Sequence, residues 1–184
     1  MTRHHSPITQ VVAIGIGAAL FFVLGRFAAI PTPIPNTTIN IQYVILAVFA
    51  VLYGPLAGVL IGLIGHVLID ATGYGIWMSW EAGSAVFGLI VGLFLLRHRI
   101  DEGEFGTGTL VRFLVAVVIG HALAWLVVAP FGDVVVYGEP ASKVFTQGAL
   151  AFIVNTLTTA ILGSIVLAVY ARTRTRTGSL RVEE

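Results

Sequence analysis

The 184-residue chain contains no cysteine and few charged residues, and both absences limit what it can be. Without cysteine it has no disulfide bonds, no thiolate metal ligands and no cysteine nucleophile. Charged residues make up 10% of the chain and hydrophobic residues 57%, whereas soluble domains carry about 25% charged residues. The net charge of +1 gives no electrostatic basis for binding nucleic acid. This composition is typical of an integral membrane protein.

Four apolar stretches are long enough to cross a membrane, which takes about 20 residues. They cover residues 8–29, 77–96, 110–129 and 142–171. The first follows a polar N-terminal segment and has no small-residue cleavage site of its own, so we interpret it as a retained span and not as a signal peptide.

Residues 39–70 are too long for one span, because a single helix would measure about 48 Å against a hydrocarbon core of about 30 Å. Gly54-Pro55 is a strong turn signal. We therefore predict two short helices over 39–53 and 56–70. The predicted fold class is an all-α integral membrane protein, a single domain over 1–184 with six transmembrane helices.

The distribution of Lys and Arg indicates the orientation of the bundle. With six spans, the N-terminus (1–10) and the tail (172–184) are both expected to be cytoplasmic, since most arginines then lie inside. Five spans with the N-terminus outside would satisfy the charge rule almost as well. Helix length, and not charge, favours six.

The insert between the first two spans, IPTPIPNTTINIQY (30–43), is rich in proline and polar residues. Three prolines exclude a continuous helix, and irregular backbone cannot face lipid because its polar groups would lack partners. We expect it to fold against itself over a cavity, with residues 30–41 as an outer loop above the site. Its predicted substrate-binding residues are Asn36, Thr37, Thr38, Asn40, Gln42 and Tyr43.

A second polar and aromatic group, comprising Tyr74, Trp77, Trp80 and Glu81, follows the third span. Interfacial aromatics usually form the membrane belt. The alternative is an aromatic wall for a flat ligand, with acidic acceptors nearby, and on that basis all four are predicted to bind substrate.

Two histidines fall within apolar segments. His66 and Asp70 are four residues apart and share a helix face, which is compatible with a hydrogen-bonded pair, with substrate contact, or with metal ligation that lacks an evident third ligand. His121 lies in mid-span, where packing is the simpler interpretation.

The last span begins with Lys143 and Gln147, which can point inward together, and carries Asn155 at a depth where an amide needs a partner. All three are predicted to bind substrate. Asp133 and Glu139 belong to a segment, 130–140, that we expect on the outer side, and we interpret them as solvated loop charges.

Small residues recur on two helices. Ala13, Gly15, Gly17 and Ala19 on the first span allow close helix approach, either within the bundle or to a partner subunit. For Gly54, Gly58, Gly62 and Gly65 on the third span, packing within the bundle is favoured.

Several of these segments together resemble the substrate-binding (S) components of energy-coupling-factor (ECF) vitamin transporters, in the branch grouped with the riboflavin type. They are VAIGIGAALFFVLGRFAAIPTPIPNTTINIQY, LYGPLAGVLIGLIGHVLIDATGYG, EPASKVFTQG and YARTRTRTGSL, and the resemblance extends over about residues 11 to 181.

This resemblance implies a six-helix bundle in the cell membrane that binds a vitamin or related molecule on its outer side, beneath the first outer loop. It also implies a transmembrane coupling subunit and two cytoplasmic ATPases as partners, docked through small residues of the first helix. The corresponding positions of this chain are Ala13, Gly15, Gly17 and Ala19, an Ala/Gly mixture where the family usually has Ala-xxx-Ala.

We therefore predict a substrate-capture subunit of an ATP-driven importer, with no catalytic residues, cofactor or metal. Two rivals stay open at this point: an intramembrane enzyme using His66, Asp70 and His121, and a stand-alone facilitator of small-molecule transport.

Overall fold

The computed structural model describes residues 6–34, 37–73 and 75–174, which form a bundle of six helices. The predicted all-α membrane fold is confirmed. A single 3₁₀ turn, Ile100–Glu102, lies in the described part of the α4–α5 connection. The helices are α1 (Pro7–Phe27), α2 (Gln42–Tyr53), α3 (Pro55–Thr72), α4 (Met78–Leu95), α5 (Thr107–Tyr137) and α6 (Ala141–Arg172).

The six helices differ in their relation to the membrane. Five of those described are long and apolar enough to span it, and α2 is the exception with 12 residues. At 1.5 Å per residue α2 is about 18 Å long, well short of a hydrocarbon core of about 30 Å. Nine of its residues are buried. The short helix therefore lies inside the bundle, packed against its neighbours.

The predicted break at Gly54-Pro55 is confirmed. Helix α2 ends at Tyr53 and α3 begins at Pro55. Gly54 between them has a φ of 91°, a left-handed conformation that side chains other than glycine rarely adopt. Pro55 occupies the first turn of α3, where the N–H that it lacks would have no helical partner.

Glycines on α3 let it approach α4 closely. A Cβ atom at Gly58 would lie 2.5 Å from the carbonyl oxygen of Gly88, and one at Gly62 would lie 2.6 Å from that of Ser84. Gly65 is similarly covered by Phe21. The predicted packing role within the bundle is confirmed for these three glycines, whereas Gly54 forms the turn.

The insert after α1 folds against itself, as predicted. Strands β1 (Ile30–Pro31) and β2 (Thr38–Ile39) pair antiparallel, with Ile30 opposite Ile39. The Thr32 hydroxyl donates a 2.7 Å hydrogen bond to the carbonyl oxygen of Thr37. We call residues 30–41 the hairpin; Pro35 and Asn36 within it lie outside the described residues.

Helix α5 corrects the expectation of a loop over 130–140. It continues through Pro130 to Tyr137, with π-helical turns at Leu123–Val128 and Asp133–Tyr137. A π-helical turn carries hydrogen bonds from residue i to i+5 and widens the helix, so the chain passes a proline without ending the span. Only residues 138–140 connect α5 to α6.

Met78 at the start of α4 donates a hydrogen bond to the Tyr137 hydroxyl at the end of α5, and β2 contacts α6. The hairpin and the α3–α4 and α5–α6 connections therefore lie at one end of the bundle, which we call the hairpin end. At the other end, the Gln10 side chain near the start of α1 donates to the carbonyl oxygen of Tyr53. Residues 1–5 and 175–184 lie outside the described part of the chain. The cytoplasmic placement of both termini stays a prediction.

Candidate functional site

A cavity opens at the hairpin end, between the hairpin and the ends of the helices. Every helix contributes to its wall, together with β2. Polar, acidic and aromatic side chains dominate a lining that sits within an otherwise apolar bundle. The lining residues are Gly25, Thr37, Thr38, Asn40, Gln42, Tyr43, His66, Ile69, Asp70, Trp77, Trp80, Trp125, Asp133, Glu139, Lys143, Gln147, Ala151 and Asn155.

Most of the residues predicted from sequence to bind substrate lie on this wall. Asn36 and Tyr74 lie outside the described residues, and Glu81 is fully buried but does not line the cavity. That the lining residues contact a substrate stays a prediction. The predicted residues on the wall are Thr37, Thr38, Asn40, Gln42, Tyr43, His66, Asp70, Trp77, Trp80, Lys143, Gln147 and Asn155.

The floor of the cavity is held by a short chain of hydrogen bonds. Ser84 Oγ on α4 lies 3.0 Å from the Tyr43 hydroxyl oxygen and 2.6 Å from His66 Nδ1. His66 Nε2 lies 3.8 Å from Asp70 Oδ1, which is beyond hydrogen-bond distance. Of the three alternatives for His66 and Asp70, the directly hydrogen-bonded pair is not formed, because the histidine bonds to Ser84 and meets Asp70 only at ion-pair distance.

The Gln42 side chain packs directly against Gly25, which has no side chain of its own. A Cβ atom at Gly25 would overlap the Gln42 amide and the end of the Ile69 side chain. The amide therefore occupies the space that any other residue at position 25 would fill. Gly25 contributes to the site through this close approach, a role that sequence reasoning missed.

All three tryptophans of the chain line the cavity. The rings of Trp80 and Trp125 stack with centroids 5.6 Å apart and an interplanar angle of 23°. Trp77 packs on Tyr137 at 4.7 Å. Trp125 was not predicted, because nothing in the apolar segment 110–129 distinguishes an inward-facing indole from a lipid-facing one.

Asp133 is not a solvated loop charge, which corrects the sequence interpretation of this residue, whereas Glu139 does lie in the α5–α6 connection. Asp133 is 3% exposed, accepts a hydrogen bond from the Ser79 hydroxyl, and accepts a 2.8 Å bond from Trp80 Nε1. Its position on α5, which continues past Pro130, turns it inward. Glu139 Oε2 accepts from Lys143 Nζ at 2.7 Å, and both residues line the cavity.

Three amide side chains present oxygens that have no hydrogen-bond partner among the described residues. These atoms are Asn40 Oδ1, Gln42 Oε1 and Asn155 Oδ1. Gln42 and Asn155 are each 4% exposed, and all three residues line the cavity. A buried acceptor without a partner costs about 1–3 kcal/mol. The cavity thus offers acceptors that a bound molecule can satisfy.

His121 does not join His66 and Asp70. Its Nδ1 accepts a 2.8 Å hydrogen bond from Trp125 Nε1, and its Nε2 lies 3.2 Å from Thr159 Oγ1. The imidazole is fully buried and stacks on Phe87, away from the cavity lining. The structure thus does not bring together the three residues on which an intramembrane enzyme would rely. Within the described residues, no three His, Asp or Glu side chains form a metal-binding group.

The small residues of α1 divide between two faces. Ala13 and Gly17 are buried, and a Cβ atom at Gly17 would meet Ile61. These two are occupied by packing within the bundle. Gly15 and Ala19 are exposed, and nothing lies within 4 Å of a Cβ atom at Gly15.

Comparisons with known proteins agree with this architecture. A family model described as ECF-type riboflavin transporter, S component, matches residues 6–172. The chain is 48% identical over 183 residues to a UPF0397 protein of Lactococcus lactis subsp. cremoris (strain SK11), covering 99% of this chain and 97% of that protein. It is 49% identical over 178 residues to a UPF0397 protein of Streptococcus sanguinis (strain SK36), covering 96% and 98%.

Two solved structures share the fold. The S component for biotin from an ECF-type ABC transporter superimposes with a TM-score of 0.66 at 14% identity, covering 97% of this chain and 100% of that one. FolT bound with folic acid gives a TM-score of 0.60 at 16% identity, covering 98% of each chain. At these identities the likeness concerns the fold.

Proposed function

The chain belongs to the S components of ECF-type transporters, the family described by the riboflavin transporter S component, and we propose that it captures a vitamin or related small molecule for an ATP-driven importer. As a member of this family it is a multi-pass protein of the cell membrane and a substrate-binding subunit. The substrate and the partner subunits are the further part of the proposal.

The observation that carries the proposal is the polar cavity at the hairpin end. A bundle that only had to fold would be better served there by apolar packing, because buried polar groups without partners are costly. Here amide oxygens, carboxylates and three indole rings converge on one space. Such a combination of aromatic surface and few directed polar groups suits a flat small molecule with polar edges.

The hairpin supports a role as a cover over the ligand. It lies at the mouth of the cavity and contributes Thr37, Thr38 and Asn40 to the lining. Hydrogen bonds within the hairpin, such as that from the Thr32 side chain to Thr37, hold its two strands together. In the proposed cycle, ligand binding outside the cell closes the hairpin over the site, and the subunit then reorients within the membrane to release the ligand inside.

The energy for reorientation would come from partners: a transmembrane coupling subunit and two cytoplasmic ATPases. We propose that the exposed small residues Gly15 and Ala19 of α1 receive the coupling subunit, because small side chains permit close contact between helices. Ala13 and Gly17 would act indirectly, by packing α1 onto the bundle.

The test combines two measurements on the protein expressed in its native host. Mass spectrometry of the detergent-purified subunit should detect one enriched small molecule. Affinity purification of the tagged subunit should recover a second membrane protein and ATPase subunits. Recovery of a ligand without partners would instead favour the stand-alone facilitator.

A further inference from the structure

The cavity lining carries more negative than positive charge. Asp70, Asp133 and Glu139 lie on the wall, and among the lining residues described only Lys143 is a lysine or arginine. Lys143 Nζ lies 2.7 Å from Glu139 Oε2, so these two charges compensate each other. Asp70 and Asp133 are left without a lysine or arginine partner among the lining residues described.

Neither aspartate pairs with a lysine or arginine in the described part of the chain. Asp133 accepts from the hydroxyl of Ser79 and the indole of Trp80, both of which are neutral donors. The nearest basic group to Asp70 is His66, at 3.8 Å, whose other ring nitrogen contacts Ser84. Arg26 at this end is exposed and donates to the carbonyl oxygen of Thr72.

Glu81 adds to the imbalance behind the wall. It is 0% exposed, and no lysine or arginine pairs with it in the described part of the chain. It lies close enough to Asp70 for the two charges to interact. Buried like charges are stable when a cation or a proton compensates them.

The amide oxygens give an independent indication of the same chemistry. Asn40 Oδ1, Gln42 Oε1 and Asn155 Oδ1 are all acceptors, and all belong to side chains of the cavity wall that are at least nine-tenths buried. A ligand that satisfies them must donate hydrogen bonds. The carboxylates and the amide oxygens therefore both favour a ligand that donates hydrogen bonds.

We propose that the ligand is a flat aromatic or heteroaromatic cation bearing N–H donors, such as a ring with an amidinium or protonated amino group. This inference rests on the proposed function. Its charge lies near Asp70 and Asp133, its N–H groups donate to the amide oxygens, and its ring lies among the tryptophans, whose faces attract cations. A carboxylate ligand would meet like charge at both aspartates.

Three probes of equal size test the inference: benzamidinium, benzamide and benzoate. They share a flat phenyl ring and differ in charge and in donors. Because every tryptophan of the chain lines the cavity, quenching of intrinsic fluorescence in the detergent-purified subunit reports binding there. We expect benzamidinium to bind about tenfold or more tightly than either other probe, the range that charge-assisted hydrogen bonds give.

The preference should depend on the two aspartates. Asp133→Asn and Asp70→Asn should each reduce it by about tenfold, and thermal unfolding shows whether each variant is folded. If one of the two variants does not fold, the benzamidinium preference of the other variant decides the test. Glu104→Gln removes the same charge from the exposed α4–α5 connection at the opposite end and should leave the preference intact.

Equal binding of the three probes, a preference for benzoate, or no quenching by any of them would overturn the inference. So would a benzamidinium preference that survives both aspartate substitutions. The proposed function is judged separately, by co-purifying ligand and partner subunits, neither of which depends on these probes. A neutral or anionic native ligand would leave the transporter assignment standing and remove the charge inference.

Discussion

The indole N–H of Trp80 donates a 2.8 Å hydrogen bond to Asp133, joining α4 to α5 at the wall of the cavity. Ser79, the residue before Trp80, donates to the other oxygen of the same carboxylate. One carboxylate thus holds two successive residues of α4, and the ring of Trp80 is kept stacked on Trp125.

Trp80→Phe should destabilise this corner of the bundle, because Asp133 loses one of its two donors while buried. The expected cost is about 1–3 kcal/mol, measured as a lower thermal unfolding midpoint in detergent. Trp77→Phe is the matched control, since phenylalanine keeps an aromatic ring against Tyr137. Equal midpoints for both variants would mean that the Trp80–Asp133 bond contributes nothing measurable.

Gly25→Ala should weaken ligand binding and stability together. The added methyl group overlaps the Gln42 amide and the Ile69 side chain, so Gln42 must leave its position on the cavity wall. Overpacking of this kind costs about 1–3 kcal/mol.

Gly15→Ala provides the control for that change on the same helix. Nothing lies within 4 Å of its new methyl group, and alanine favours helix over glycine by about 1 kcal/mol. We therefore expect unchanged or slightly increased stability. A similar loss of stability in both variants would show that the effect comes from substitution in α1 in general and not from the contact with Gln42.

Much of the site could be predicted because a buried polar group in an apolar chain needs a hydrogen-bond partner. Asn40, Gln42 and Asn155 stand out for that reason alone, and each lies on the cavity wall. The break at Gly54-Pro55 could also be predicted, since its signal is local.

Trp125 and Asp133 could not be predicted, because their direction depends on π-helical turns in α5. A widened turn rotates all following residues relative to a regular α-helix, and no sequence pattern reveals it. Pro130 is a signal for the end of a helix. For that reason Asp133 was predicted to lie in a loop. Gly25 was missed because its contact with Gln42 joins residues of different helices.

The exposed face of α1 provides a test of assembly. Gly15→Leu or Ala19→Leu should reduce co-purification of the coupling subunit while leaving the isolated subunit folded, because a bulky side chain prevents close helix approach. Gly17→Leu should instead destabilise the isolated subunit, since its side chain meets Ile61 and Phe49. If both exposed variants assembled fully, Gly15 and Ala19 would not form the docking surface for the coupling subunit.

The orientation of the bundle can be measured directly because the chain has no cysteine of its own. Ile30 in the hairpin is 61% exposed, and Glu104 lies at the opposite end. Ile30→Cys should react with a membrane-impermeant reagent on intact cells, and Glu104→Cys only after lysis. The reverse pattern would place the hairpin and the cavity in the cytoplasm.

Native mass spectrometry of the purified subunit, alone and with substitutions in the cavity, tests the central claim most directly. The wild-type chain and Glu104→Ala should each retain one enriched small molecule. Gln42→Ala and Asn155→Ala should retain less of it, because losing a buried hydrogen bond costs about 1–3 kcal/mol, or roughly 5- to 150-fold in affinity. If the folded cavity variants retain as much ligand as the wild-type chain, or if no variant and no wild-type sample holds any small molecule, the cavity is not the capture site.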